Sequence, residues 1–229
     1  MASPGELVNA VAQVLGVPIA TVIVHDRNLV MAGLRTKGGR GRSAAKITSQ
    51  DVSALLIAVA ASSIVKDSAK IWHDYVGLPI NDTESVAGLM TDIPLSALSL
   101  LDNEHTFGQI LTALVDSAGD GSMQELIRGN PGRSFHSGLS FSIDHPPEIS
   151  VRLRGPVPRA EIGVHIGRYS ISNHYGGPPT FIDKGGELNT DCVAGWEADA
   201  LRRYGPGDLK QTREFSMKTI LAMGELLKS

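Results

Sequence analysis

The chain has 229 residues, 42% of them hydrophobic and 20% charged, with a formal net charge of −3. This is the composition of a folded globular protein of one or two domains rather than a disordered chain. The single cysteine, Cys192, rules out an intramolecular disulfide; no apolar run approaches the ~20 residues of a membrane span, and the first residues lack a secretion signal, so a cytoplasmic protein is expected.

Ser3-Pro4-Gly5-Glu6 starts a helix, with Ser3 as cap and Glu6 three residues on. Leu7, Val8, Val11, Val14 and Leu15 follow at helical spacing, and Gly16 closes the segment. Pro18 opens a second helix that runs to Ala32, with Gly33 as its stop. Thr21–Val24 and Leu29–Met31 could instead form two strands around a turn at His25–Asn28. Helix is favoured, because the Val-Ile-Val run costs only tenths of a kcal/mol per residue, which the Pro18 start and Gly33 stop offset. Arg35–Lys46 contains three glycines and reads as a hairpin-like loop. Thr48-x-x-Asp51 is a capping box for a helix carried to about Lys66.

Gly77–Asp82 reads as a turn or linker, and short helices are expected at Glu84–Met90 and Leu95–Leu101. A firmer helix follows at Thr106–Ala118, with Gly119–Gly121 as its end and Arg128–Arg133 as a second break. From Phe135 the pattern changes to period two. Strands are expected at Phe135–Ile143, Ile149–Arg154, Ala160–Ile166 and Tyr169–His174, with Thr180–Asp183 as a possible fifth. Helices at Val193–Tyr204 and Asp208–Leu227 complete the chain, the last with an apolar stripe that suits either the local sheet or a second copy. The expected fold class is α+β, with a helical connector at 77–134 between an N-terminal module, 1–76, and a C-terminal antiparallel sheet with a terminal helix, 135–229.

Charge is unevenly placed. Residues 1–80 hold eight Lys/Arg against five Asp/Glu, and residues 81–229 hold thirteen against nineteen. Between Arg27 and Lys46 lie six basic side chains (Arg27, Arg35, Lys37, Arg40, Arg42 and Lys46) and no acidic one. A local positive stripe on an acidic protein points to a phosphate backbone, though a solvated flexible loop has the same composition. Glycines let the loop backbone approach a phosphate closely. Neither GxGxxG nor GxxxxGK[ST] is present, so a nucleotide site is disfavoured.

Ala12, the turn Leu15-Gly16-Val17-Pro18, Thr21-Val22, Leu29, Gly33-Leu34 and the wing-like Gly39-Arg40-Gly41 together resemble the winged helix-turn-helix of bacterial and phage transcription regulators. The resemblance covers about 30 of 229 residues. The run Arg27-Asn28-Leu29, Gly33-Leu34-Arg35 and Gly39 to Ala45 is also similar to phage and mobile-element proteins. The regulator likeness implies a recognition helix from Pro18 in the major groove of double-stranded DNA, with Thr21, Arg27 and Asn28 as polar contacts. It implies a wing in which Arg35, Lys37, Arg40 and Arg42, with Lys46 beyond, meet phosphates or the minor groove. One departure stands out. Three and four residues after Val22, where the pattern is usually apolar and buried, this chain has His25 and Asp26, while Ile23 and Val24 fall where polar groups often face DNA.

No catalytic set is legible. The seven histidines and Cys192 show no metal-ligand spacing, and no Ser or Cys sits in a nucleophile elbow. Trp72 and Tyr75 read as core or interface anchors rather than base-stacking groups. No cofactor is expected, and the chemistry of a small effector is not legible. The reading is a non-enzymatic DNA-binding transcriptional regulator, forming a homodimer or higher oligomer through residues beyond 80. The alternative is a phage-type structural or packaging protein that meets nucleic acid incidentally.

Overall fold

The structure, a computed structural model, describes residues 2–37, 46–62, 64–81, 93, 95–128, 147–166, 169–177, 190–205 and 209–228. It is an α+β fold in which a four-stranded antiparallel sheet lies against a helical layer.

The helical layer begins with α1, Pro4–Leu15, whose start is a closed capping box: Glu6 N donates to Ser3 Oγ at 3.3 Å and Ser3 N to Glu6 Oε2 at 2.6 Å. Gly16 ends it in the left-handed region, φ 66°, where a Cβ would be disfavoured. The second helix, α2, spans Ile19–Met31, so the strand-pair alternative for this segment is excluded. Its C-terminal turn closes through Gly33, at φ 72°, and a bond from Leu34 N to Leu29 O of 2.9 Å. The third, α3, spans Ser49–Ala61 behind the Thr48–Asp51 capping box, and every residue from Asp51 to Ala60 is buried. A helix apolar all round belongs in a core, and α3 is the central element of the layer.

The expected continuation of α3 to Lys66 does not form. Ser62 turns to extended backbone, a 3-10 turn occupies Val65–Asp67, and α4, Ser68–Val76, follows. Beyond a short 3-10 turn at Leu98–Leu100, in place of the expected Leu95–Leu101 helix, come α5, Phe107–Asp120, and α6, Ser122–Arg128. The expected helix at Glu84–Met90 and strands at Phe135–Ile143 and Thr180–Asp183 lie outside the described residues.

The sheet contains β1, Glu148–Gly155, β2, Arg159–Ile166, β3, Tyr169–Tyr175, and β4, Gln211–Ser216, in the order β3-β2-β1-β4. Helix α7, Thr190–Tyr204, separates β3 from β4, and α8, Met217–Lys228, follows β4 directly. The expectation of one helix over Asp208–Leu227 is therefore corrected: its first part is an edge strand paired with β1, Leu153 opposite Arg213 and Val151 opposite Phe215. Phe215 is buried on the helical side and Arg213 on the same face reaches the end of α3, so tertiary partners override the helical spacing.

Ile149, Val151, Leu153, Ile162, Val164 and Phe215 form the buried face of the sheet. On the other face, Arg152 bridges Glu161 and Glu214 across both neighbouring strands at 2.9 and 2.8 Å, and Arg154 adds a second bond to Glu161 at 2.6 Å. Helix α8 packs against α1 and α5 of its own chain. At the α5–α8 crossing a Cβ on Gly224 would stand 2.4 Å from Ala118 Cβ, so the two helices touch through their backbones. One continuous buried core draws on all three of the sequence segments.

Candidate nucleic-acid interface

The α1–turn–α2 unit is seated by Val11 and Ala12 on α1 and by Val22, His25 and Leu29 on α2, all buried. His25 takes a position where an apolar side chain would be usual, and its burial is made possible by a partner. Its Nδ1 lies 2.9 Å from Ser68 Oγ at the start of α4. Burial first, and the positive charge of Arg213 second, hold its pKa down at about 4, so the ring is neutral at pH 7.

Asp26, the other departure, pairs with Arg35. Arg35 Nη2 donates to Asp26 Oδ2 at 2.8 Å, and Nε lies in ion-pair contact with Oδ1. Thr36 N then donates to Asp51 Oδ1 at 2.8 Å, while Asp51 Oδ2 accepts from Thr48 N at 2.9 Å. One carboxylate therefore caps α3 and pins the incoming end of the basic loop. Asp26 and Asp51 are thus the residues that hold the loop's entry, a role their sequence positions alone did not reveal.

The predicted contact residues divide into three groups. Pro18, Arg27, Lys37 and Lys46 are exposed, and Thr21 is half-buried at the edge of the outward face. Arg35 and Asn28 are turned inward: Arg35 is 5% exposed and tied to Asp26, and Asn28 Nδ2 donates to Val65 O at 2.8 Å. Both side chains are thus engaged within the protein, Arg35 buried and Asn28 half-buried. Arg40 and Arg42 lie outside the described residues.

With 3.6 residues per turn, Arg27 falls in the middle of the face opposite Val22, His25 and Leu29. Around it stand Ile19, Ile23, Val24 and Met31, between 44% and 74% exposed. The outward face of α2 is therefore apolar with one cation at its centre. The sequence already carried that signal in Ile23 and Val24, two residues that the buried face does not use.

No protein-family model, curated protein or solved structure matches the chain.

Proposed function

We propose that the protein is a non-enzymatic DNA-binding regulator that uses α1 and α2 as a helix-turn-helix and the segment from Arg35 to Lys46 as an arginine- and glycine-rich wing, acting as a homodimer through residues beyond 80. One observation carries this reading: the left-handed Gly16 turn and the buried Val11, Ala12, Val22, His25 and Leu29 seat α2 with Pro18 and Arg27 exposed and Thr21 half-buried at the edge of the outward face, while Lys37 and Lys46 are exposed at the two ends of the loop segment. Exposed Ile23, Val24 and Met31 suit such a helix where it meets thymine methyl groups in the major groove. Cations flanking the loop then supply the sequence-independent part of the affinity.

Competition titrations at fixed salt test the division of labour. Arg27→Ala or Thr21→Ala should cost ~1–3 kcal/mol on a preferred site and little on random DNA. Lys37→Ala with Lys46→Ala should weaken all sequences about equally and reduce the salt slope by about two. Loop variants that change sequence preference while the helix variants do nothing would overturn the assignment of α2.

The same apolar face favours a second reading, an assembly module of a phage-type structural protein. Ile23→Asp would then dissociate the oligomer and leave nucleic-acid affinity unchanged, whereas a recognition helix predicts loss of affinity with the oligomer intact.

A further inference from the structure

A cavity of about 200 Å³ opens where α3, α4, β1 and β4 meet the C-terminal end of α7. Its charged walls are Lys70 and Asp74 on α4 and Arg213 on β4, with Tyr204 beside them and Ile71 and Leu153 as part of the apolar lining. Asp74 Oδ2 accepts from Lys70 Nζ at 2.6 Å, and its Oδ1 has no partner among the described residues. Arg213 turns one nitrogen, Nη1, to the carbonyls of Ala60 and Ser62 that end α3, and it meets no carboxylate among the described residues. Among the described residues, two opposite charges on one cavity are therefore each only partly satisfied and do not pair with one another.

The Lys70 ammonium shows what the acidic side accepts. It rests on the Asp74 carboxylate and 5.2 Å from the centre of the Tyr204 ring, a carboxylate and a π-face around one ammonium. Its own side chain is 60% exposed, so the pair is weak and easily exchanged for another ammonium. A plain cation entering the cavity would meet both Arg213 and the Lys70 ammonium, and a plain anion would use Arg213 but leave Asp74 to Lys70 alone. A molecule carrying a carboxylate and an ammonium can use both Arg213 and Asp74.

We propose that this cavity binds a small amino acid, its carboxylate on Arg213 and its ammonium on Asp74 and the Tyr204 ring in place of Lys70, and that occupancy is felt by α2. Helix α4 is the shared element. Its first residue, Ser68, holds α2 through His25 at 2.9 Å and Asn28 at 3.4 Å, while its next two turns wall the cavity. Arg213 closes the end of α3, against which α2 also packs. This regulatory half rests on the DNA-binding reading, whereas the binding half does not.

The test uses the full chain and the twenty L-amino acids, offered singly, with calorimetry and thermal melting as readouts. For each amino acid that binds, the matching carboxylic acid without the amine and the amine without the carboxylate are the controls. At least one amino acid should bind saturably, and each single-charge analogue should bind at least about tenfold more weakly, as expected for loss of a charged hydrogen bond. Asp74→Asn should abolish binding, Lys70→Met should tighten it, and Leu209→Trp, at an exposed rim position, should block the cavity without disturbing the core. Arg213→Met should also abolish binding, and the other three variants decide the matter if it fails to fold. Binding by none of the twenty, equal binding of the single-charge analogues, or binding that survives both Asp74→Asn and Leu209→Trp overturns the site. DNA titrations with and without the bound amino acid then test the coupling, which predicts a change in affinity and is overturned by an unchanged one. Amino-acid binding by a protein that binds no DNA leaves the site standing and removes the regulatory reading; DNA binding without amino-acid binding removes both the site and its regulation and leaves only the DNA-binding reading.

Discussion

Lowering the pH should loosen this fold through His25. The ring is 2% exposed and its pKa is held at about 4 rather than the ordinary 6.5, by burial and then by the charge of Arg213. A base whose pKa is depressed by folding is protonated more readily in the unfolded chain. The stability it contributes is therefore complete above about pH 6.5 and is lost as the pH falls toward 4. From those two values the loss is about 2 kcal/mol at pH 5 and about 3 kcal/mol at pH 4. Urea unfolding at pH 7.5 and pH 5.0 measures it directly. With a denaturant slope near 2 kcal/mol/M, the midpoint should fall by about 1 M more in the natural protein than in His25→Gln, which retains hydrogen-bonding capacity but cannot titrate. Equal midpoint shifts in the two proteins would refute the reasoning, and would mean that the ring reaches solvent or finds an acceptor when protonated.

Arg35→Met should cost about 3 kcal/mol by leaving Asp26 half-buried and unpaired, and Asp26→Leu added to it should restore much of that. In the same variant the salt dependence of DNA binding should be unchanged, because the Arg35 guanidinium faces inward; a slope reduced by one would place it on phosphate instead. Gly224→Ala should lower the melting temperature through overpacking of at least 1–3 kcal/mol, since the added methyl meets the Ala118 backbone at 2.5 Å; an unchanged melting temperature would contradict the close α5–α8 crossing.

The elements that announced themselves in the sequence are those whose signals are local. Ser3 with Glu6 and Thr48 with Asp51 close capping boxes within four residues, and Gly16 and Gly33 stop helices by their own backbone freedom. The two central strands, β1 and β2, bounded by prolines and glycines, follow the alternation of Ile149, Val151 and Leu153 and of Ala160, Ile162 and Val164. What was not legible depends on distant partners. β4 is a strand because the edge of β1 is free to pair with it and because Arg213 finds carbonyls at the end of α3, neither of which the spacing of Leu209, Ile220 and Leu221 reveals. Arg35 and Arg27 look alike in a basic run, yet an aspartate nine residues before Arg35 draws it inward. His25 is compatible with burial because Ser68, forty-three residues later, supplies a hydroxyl.

Fluorescence anisotropy of a labelled duplex, titrated with the full protein between 50 and 200 mM salt, tests the central claim most directly. The outward cations Arg27, Lys37 and Lys46, with Arg40 and Arg42 in the loop, predict tight binding at low salt and a log–log slope of roughly −3 to −5 per protomer. No binding at 50 mM salt, or binding that does not change across that range, would contradict it.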